Sequence, residues 1–274
     1  RFGVHSAQSI QLAKRLCPEL IIVEPHFQRY KEVSAHLHEI FHEYTDLIEP
    51  ISLDEAFLDV TENKKGIELA VDIAKEIKQR IYQTTGLTAS AGVSYCKFIA
   101  KIASDWRKPD GLTVIHPDRA LDFISRLKVD RIWGVGPKTA EKMHHMGIFT
   151  GLDLRNTPLN QLTEEFGKMG QVFYEFSRGI DSRPVISEWE RKSVSCEQTF
   201  DNNISDNSAV TSQRDHRGLN FVGRIDKNKF EGRTLTLTVK FQYFPQITRS
   251  ITVDRVLRCK DDILPLAKQL IRHV

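Results

Sequence analysis

Ile48-Glu49-Pro50-Ile51-Ser52-Leu53-Asp54-Glu55-Ala56-Phe57-Leu58-Asp59-Val60 is the stretch on which the reading of this chain turns. Two short apolar runs flank a polar centre, the pattern of two strands around a tight turn. Adjacent acids at that centre put two carboxylates, Asp54 and Glu55, at the tip of a hairpin where an ion can be held. Phosphoryl transfer uses such a place, because Mg²⁺ is bound by one or two carboxylates with substrate phosphates completing its octahedron. Two such ions about 4 Å apart would steady both the attacking and the leaving oxygen. A solvated turn can carry the same acidic pair, so the context has to decide.

Working outward, Tyr30–Tyr44 places Val33, Leu37, Ile40, Phe41 and Tyr44 on one helical face, and Leu20–Val23 is an apolar strand run. Gln8–Leu16 reads as a short helix stopped by Pro18. On the other side, Ile67–Tyr82 is a second amphipathic helix, Thr88–Val93 a strand of small residues, Phe98–Trp106 a helix and Leu112–Ile115 a closing strand. Antiparallel strands with helices over one face predict an α+β layer. From Pro117 to Asp181 the strand signal gives way to short helical segments broken by glycines, and Ser182–Val194 lacks any period. Beyond it, Leu235–Tyr243 alternates with period two and a helix starts near Asp262.

Composition excludes several classes. The 274 residues are 40% hydrophobic and 27% charged, as in a folded multidomain chain, with no apolar run of membrane-spanning length and no signal-peptide core. Cys17, Cys96, Cys196 and Cys259 show no CxxC or zinc spacing, which fits buried thiols in a reducing cytosol. The net charge of +3 is uneven: residues 182–274 carry 16 Lys and Arg against 11 Asp and Glu, and residues 1–181 carry 23 against 25. A basic C-terminal part suits a polyanionic partner, although a solvated lysine-rich surface has the same composition.

Ile132-Trp133-Gly134-Val135-Gly136-Pro137-Lys138-Thr139-Ala140 is the second informative stretch. Gly134 and Gly136 let a backbone turn approach a ligand, Pro137 suits the first position of a helix, and the amides with Lys138 favour a phosphate oxygen. It has neither P-loop nor dinucleotide-fingerprint spacing. It resembles a helix–hairpin–helix, which grips duplex backbone without reading sequence, and a plain interhelical turn is the bland alternative.

Ser52–Val60, followed by Ala100-Lys101-Ile102-Ala103-Ser104-Asp105-Trp106-Arg107-Lys108-Pro109-Asp110-Gly111, resembles the Y-family DNA polymerases, with the DinB branch the nearest. Arg1-Phe2-Gly3-Val4 is similar to the end of that family's fingers motif. The resemblance implies an α+β multidomain fold: an antiparallel-sheet palm with helices, an all-helical thumb with the helix–hairpin–helix, and an α+β little finger. It implies a fingers remnant at 1–26, palm at 27–116, thumb at 117–181, linker at 182–194 and little finger at 195–274. It makes Asp54 a metal ligand and Glu55 the neighbouring catalytic carboxylate, both toward two Mg²⁺ ions. Lys108 becomes the lysine that reaches the incoming triphosphate, and Lys101 and Asp105 are expected to be structural.

Arg191-Lys192-Ser193 and Thr248-Arg249-Ser250 resemble backbone-contacting segments of the little finger. The implied activity is low-fidelity, template-directed extension past damaged bases by a cytoplasmic monomer. Its implied partners are primer–template DNA, deoxynucleotides and a sliding clamp, with no membrane. The resemblance also places the family's first metal-binding aspartate and sugar gate before Arg1, and its last strand and clamp-binding tail after Val274. A DNA-binding module without chemistry is therefore the rival expectation, and a nucleotide cyclase a further one that the basic C-terminal part disfavours. Asp206–Asn220 lacks the helical stripe expected of the little finger's first helix.

Overall fold

The computed structural model describes residues 2–200, 203, 218, 220–243 and 245–272, so most of the Asp206–Asn220 segment lies outside the described residues. The chain divides into two compact units, Arg1–Glu188 and Trp189–Val274.

In the first unit, α1 (Ile10–Leu16) and α2 (Phe27–His42) precede the hairpin β1 (Ile48–Pro50) and β2 (Ala56–Leu58). Ile48 pairs with Leu58 and Pro50 with Ala56, antiparallel as expected. Helix α3 (Ala70–Thr85) then packs on α2, burying Ile40, Tyr44, Ile73 and Ile81 together. The expected helices therefore form, displaced by up to three residues.

The next strands depart from expectation. β3 (Ala91–Val93) and β4 (Leu112–Val114) pair in parallel, with α4 (Lys97–Asp105) as the crossover, so the small sheets are not uniformly antiparallel. A parallel pair needs such a crossover, because a tight turn can only reverse the chain. The small residues of β3 have a steric reason: a Cβ on Gly92 would lie 2.0 Å from the Ala100 carbonyl oxygen of α4. Leu20–Val23 is a second correction. It joins no ladder among the described residues, and Ile21 is 86% exposed. An apolar run states an appetite for burial; a strand also needs an edge to pair with.

Helices α5 (Pro117–Arg126), α6 (Pro137–His145), α7 (Gly151–Asn156), α8 (Leu159–Phe166) and α9 (Lys168–Ser177) follow, with a 3₁₀ turn at Val129–Arg131. Their core is not separate from what precedes it. Phe98, Ile99 and Ile102 of α4 are buried with Ile124, Leu154 and Phe173, and the Phe98 and Phe176 rings stack at 4.0 Å. Residues 182–194 carry no regular structure, as expected, yet the stretch to Ile186 is pinned to the first unit.

The second unit has a helical stretch over 220–228 (α10), the hairpin β5 (Gly232–Lys240) and β6 (Gln246–Leu257), and α11 (Lys260–Ile271). Ile225 supplies the buried residue of α10, with Phe221 and Val222 packed beside it. β5 ends at Lys240 rather than Tyr243: the Phe241 amide donates to the Pro245 carbonyl, the chain turns, and Tyr243 is 83% exposed. Helix α11 begins two residues before Asp262, whose carboxylate accepts from the Cys259 amide as the N3 member of a capping box.

Candidate active site and nucleic-acid interface

The β1–β2 turn is closed by one carbonyl. The amides of Ile51 and Ser52 both donate to the Glu55 carbonyl oxygen, at 2.8 and 3.2 Å. The Ser52 hydroxyl donates to Asp54 Oδ1 at 2.6 Å. Asp54 is exposed and Glu55 half-buried, side by side at the tip.

Glu55 is held from α4, 46 residues along the chain. Lys101 Nζ lies 3.0 Å from Glu55 Oε1 and 3.3 Å from Asp105 Oδ2. The other oxygen of Asp105, Oδ1, takes Lys108 Nζ at 2.6 Å. Glu55, Lys101, Asp105 and Lys108 thus form an alternating chain of charges that joins the hairpin tip to the nucleotide-site candidate. Burial alone would lower the Lys101 pKa, but Glu55 and Asp105 hold it above the ordinary lysine value. Burial alone would raise Asp105, and its two lysines instead hold it below the usual carboxylate range. Lys101 and Asp105, expected to be structural, share a spacing that places them in this chain of charges: 101, 105 and 108 recur at i, i+4 and i+7, one helical face continued past its end.

The donor set suits a hard divalent ion. Asp54 and Glu55 offer carboxylate oxygens, and no cluster of three or more His, Cys, Asp or Glu able to hold a metal occurs among the described residues. Such a sparse site is compatible with Mg²⁺, which keeps waters and recruits substrate phosphate oxygens rather than filling a protein cage.

A second network, missed in the sequence, fixes the exit from the helices. Asp181, with its side chain 1% exposed, accepts from the Phe98 amide at 2.9 Å and from Arg183 Nε at 2.6 Å. Arg183 lies over the Trp133 ring at 4.7 Å. Burial would raise the Asp181 pKa, but the arginine and the amide hold it below the ordinary aspartate value. Glu49 accepts from Lys97 at 2.6 Å and from the Ile186 amide at 2.8 Å. No local period links residues so far apart, so sequence patterning was silent.

The phosphate-binding candidates sort by exposure. Gly134 has φ +90°, where other residues are strained, and Gly136 caps α6 with Pro137 at its first turn. Gly136 itself has φ −85° and nothing within 4 Å of an added Cβ, so folding does not demand a glycine there. Lys138, Arg191 and Lys192 are exposed, Arg191 lying 5.9 Å over the Trp189 ring. In β6, Thr248 and Ser250 pair across the sheet with Thr238 and Thr236, at 3.3 and 2.9 Å between hydroxyls. Thr234 and Thr252 add a third pair at 2.9 Å. Arg249 stands opposite Leu237 and, by strand alternation, on the other face from this hydroxyl ladder.

Residues 1–105 match the model of the impB/mucB/samB family, 130–181 that of the DNA polymerase-iota thumb domain, and 191–274 that of the impB/mucB/samB family C-terminal domain. The DNA polymerase IV of Bacteroides fragilis is 58% identical over all 274 residues, which span 75% of that protein. The chain belongs to the Y-family DNA polymerases, in the DNA polymerase IV branch. The DNA polymerase IV of Akkermansia muciniphila is 52% identical over the whole chain and 76% of its own length. Among solved structures, a Y-family polymerase chimera of Dbh and Dpo4 superposes over 99% of this chain and 78% of its own, at 26% identity and a TM-score of 0.86. An insertion ternary complex of Dbh DNA polymerase matches at 26% identity over 99% of this chain and 78% of that one, with a TM-score of 0.66. This polymerase is accordingly a DNA-directed nucleotidyltransferase of the translesion type, in a family that works on DNA and nucleotides with divalent metal ions. No described helix is long and apolar enough to cross a membrane.

Proposed function

We propose that this translesion polymerase carries out nucleotidyl transfer at the β1–β2 tip, with Asp54 and Glu55 as two of the carboxylates that hold two Mg²⁺ ions and Lys108 as the triphosphate ligand. The observation that carries the reading is the Glu55–Lys101–Asp105–Lys108 chain, which brings the acidic tip and the candidate triphosphate lysine into one electrostatic unit. When bound, the ions would supply charge stabilisation to the oxygens of the transferring phosphate. Asp54 and Glu55 present hard oxygens from a turn closed by backbone bonds, so their placement needs little reordering. Lys108 would exchange Asp105 for a phosphate oxygen of the incoming nucleotide, anion for anion. In the overall reaction the primer 3′-hydroxyl attacks the α-phosphate and pyrophosphate leaves.

Primer–template DNA would be gripped by the Gly134–Lys138 turn, by Arg191 and Lys192, and by Thr248 and Ser250 on the hydroxyl face of β6, with Arg249 the proposed contact from its other face. Palm at 27–116, thumb at 117–181, linker at 182–194 and little finger at 195–274 are the proposed functional divisions, with 1–26 a remnant of the fingers. A sliding clamp, a monomeric state and a cytoplasmic location belong to the same proposal. No observation favours the alternative of a DNA-binding module without chemistry. The test is primer extension by the polymerase carrying Asp54→Asn or Lys108→Ala. Asp54→Asn should abolish extension at unchanged DNA affinity, whereas Lys108→Ala should mainly raise the KM for dNTP. Normal turnover in Asp54→Asn would refute the assignment.

A further inference from the structure

We infer that Lys101 is a positioning residue for nucleotidyl transfer, which aims the Glu55 carboxylate and keeps Asp105 neutralised while Lys108 turns to the incoming triphosphate. The inference rests on the assignment of Glu55 and Lys108 above and deepens it.

The side chain of Lys101 is only 16% exposed, so it is not placed to meet DNA or solvent ions; its charge is spent on two carboxylates. Among the described residues Lys101 is the one side chain that binds the Glu55 carboxylate. Without it Glu55 would rotate about its own torsions at the tip of a short hairpin. A metal ligand left to choose among rotamers binds its ion less well, which is why groups that orient ligands matter nearly as much as the ligands.

Asp105 gives the second half of the argument. It is the last residue of α4, where the unpaired carbonyls make a negative end and a carboxylate is disfavoured. Lys101 and Lys108 each take one of its oxygens. If Lys108 leaves for a triphosphate, Asp105 keeps Lys101 and does not become a bare anion beside an arriving polyanion. Lys101 thus lets Lys108 change partner at low cost.

The test uses the polymerase on a primer ended by a dideoxynucleotide, with retention of the next complementary radiolabelled dNTP measured across a Mg²⁺ series. Lys101→Met should raise the Mg²⁺ needed for half-maximal retention about tenfold and lower kcat on an extendable primer by roughly 10- to 100-fold, the range for lost ligand-orienting groups. Binary DNA affinity should be unchanged, and Lys101→Arg should recover most of the Mg²⁺ response. In a Glu55→Gln background Lys101→Met should add less than about a threefold further loss, because its route through Glu55 is already cut. If Lys101→Met does not fold, Lys101→Gln, which keeps length and polarity, bears the same expectation. An unchanged Mg²⁺ midpoint, or fully additive losses with Glu55→Gln, would overturn the inference. Undiminished extension by Glu55→Gln alone would unseat the site assignment and take the inference with it.

Discussion

The two antiparallel hairpins among the described residues are built from the same local rule and do opposite things with it. β1–β2 has three residues per strand and ends in two adjacent carboxylates, one of them tied by a half-buried lysine to the helix that follows. β5–β6 has nine and twelve residues, and one face carries three cross-strand pairs of hydroxyls without a formal charge. Charge is concentrated and pinned where chemistry is proposed, and on the longer hairpin the same face spreads uncharged hydroxyl pairs along the strands up to Lys240 at its end. A catalytic carboxylate has to be fixed to within a fraction of an ångström, which ion pairs achieve. A surface that holds a moving backbone gains from many weak, interchangeable contacts that no single residue dominates.

The hardest test of this contrast is Glu55→Gln. It keeps the shape of the tip and removes one charge, and should cost extension at least about a thousandfold, the several kcal/mol that metal-held charge stabilisation is worth. Affinity for primer–template, measured by fluorescence anisotropy, should be unaltered; a parallel fall in affinity would mean that chemistry and grip are not separated.

Next in size is the anchor that fixes the helical core to the following segment. Asp181→Ala leaves the Phe98 amide and Arg183 without their shared acceptor and should cost roughly 2–3 kcal/mol by denaturant unfolding. Because the folded pKa of Asp181 lies below its ordinary value of 3.8, its contribution is full above that value. It is lost as pH falls through the lower, folded-state pKa. The wild type should therefore lose more stability than Asp181→Asn in that acid window, and equal losses would show that the carboxylate is not the stabilising form.

Single-phosphate contacts come third. Lys138→Ala and Lys192→Ala should each lower the salt slope of DNA binding by about 0.9, equally for unrelated duplex sequences. Gly136→Ala should leave Tm unchanged, since its φ is ordinary and the added methyl meets open space. Weaker DNA binding by this variant would then report backbone approach rather than folding.

The smallest effect is expected on the hydroxyl ladder. Thr236→Val breaks the pair with Ser250 and should weaken DNA binding by about 1 kcal/mol or less, with no change in salt slope because no charge is lost. A changed slope would sharpen the contrast in the other direction, by showing that this face works with its neighbouring cations rather than by hydroxyls alone.

Much of this could be read before any fold was known. The acidic hairpin, the amphipathic faces of α2 and α3, the glycine turn ahead of Pro137 and the alternation through Leu235–Val239 are patterns of period two, period 3.6 or special backbone. Each is dictated by residues a few positions apart. The residues of the proposed active site were legible too, because Asp54, Glu55 and Lys108 lie in short contiguous motifs. What the tertiary structure decided involves partners far apart. It paired β3 with β4 in parallel and left Leu20–Val23 without a ladder among the described residues. It merged α4 with the helices after Pro117 in one core, and set Arg249 on the opposite strand face from Thr248 and Ser250. It also put Lys101 between Glu55 and Asp105, and Asp181 under Phe98 and Arg183. Periodicity records which side of an element seeks burial, but the direction of a neighbouring strand and the far partner of a charge depend on the path of the whole chain, and no local pattern carries that path.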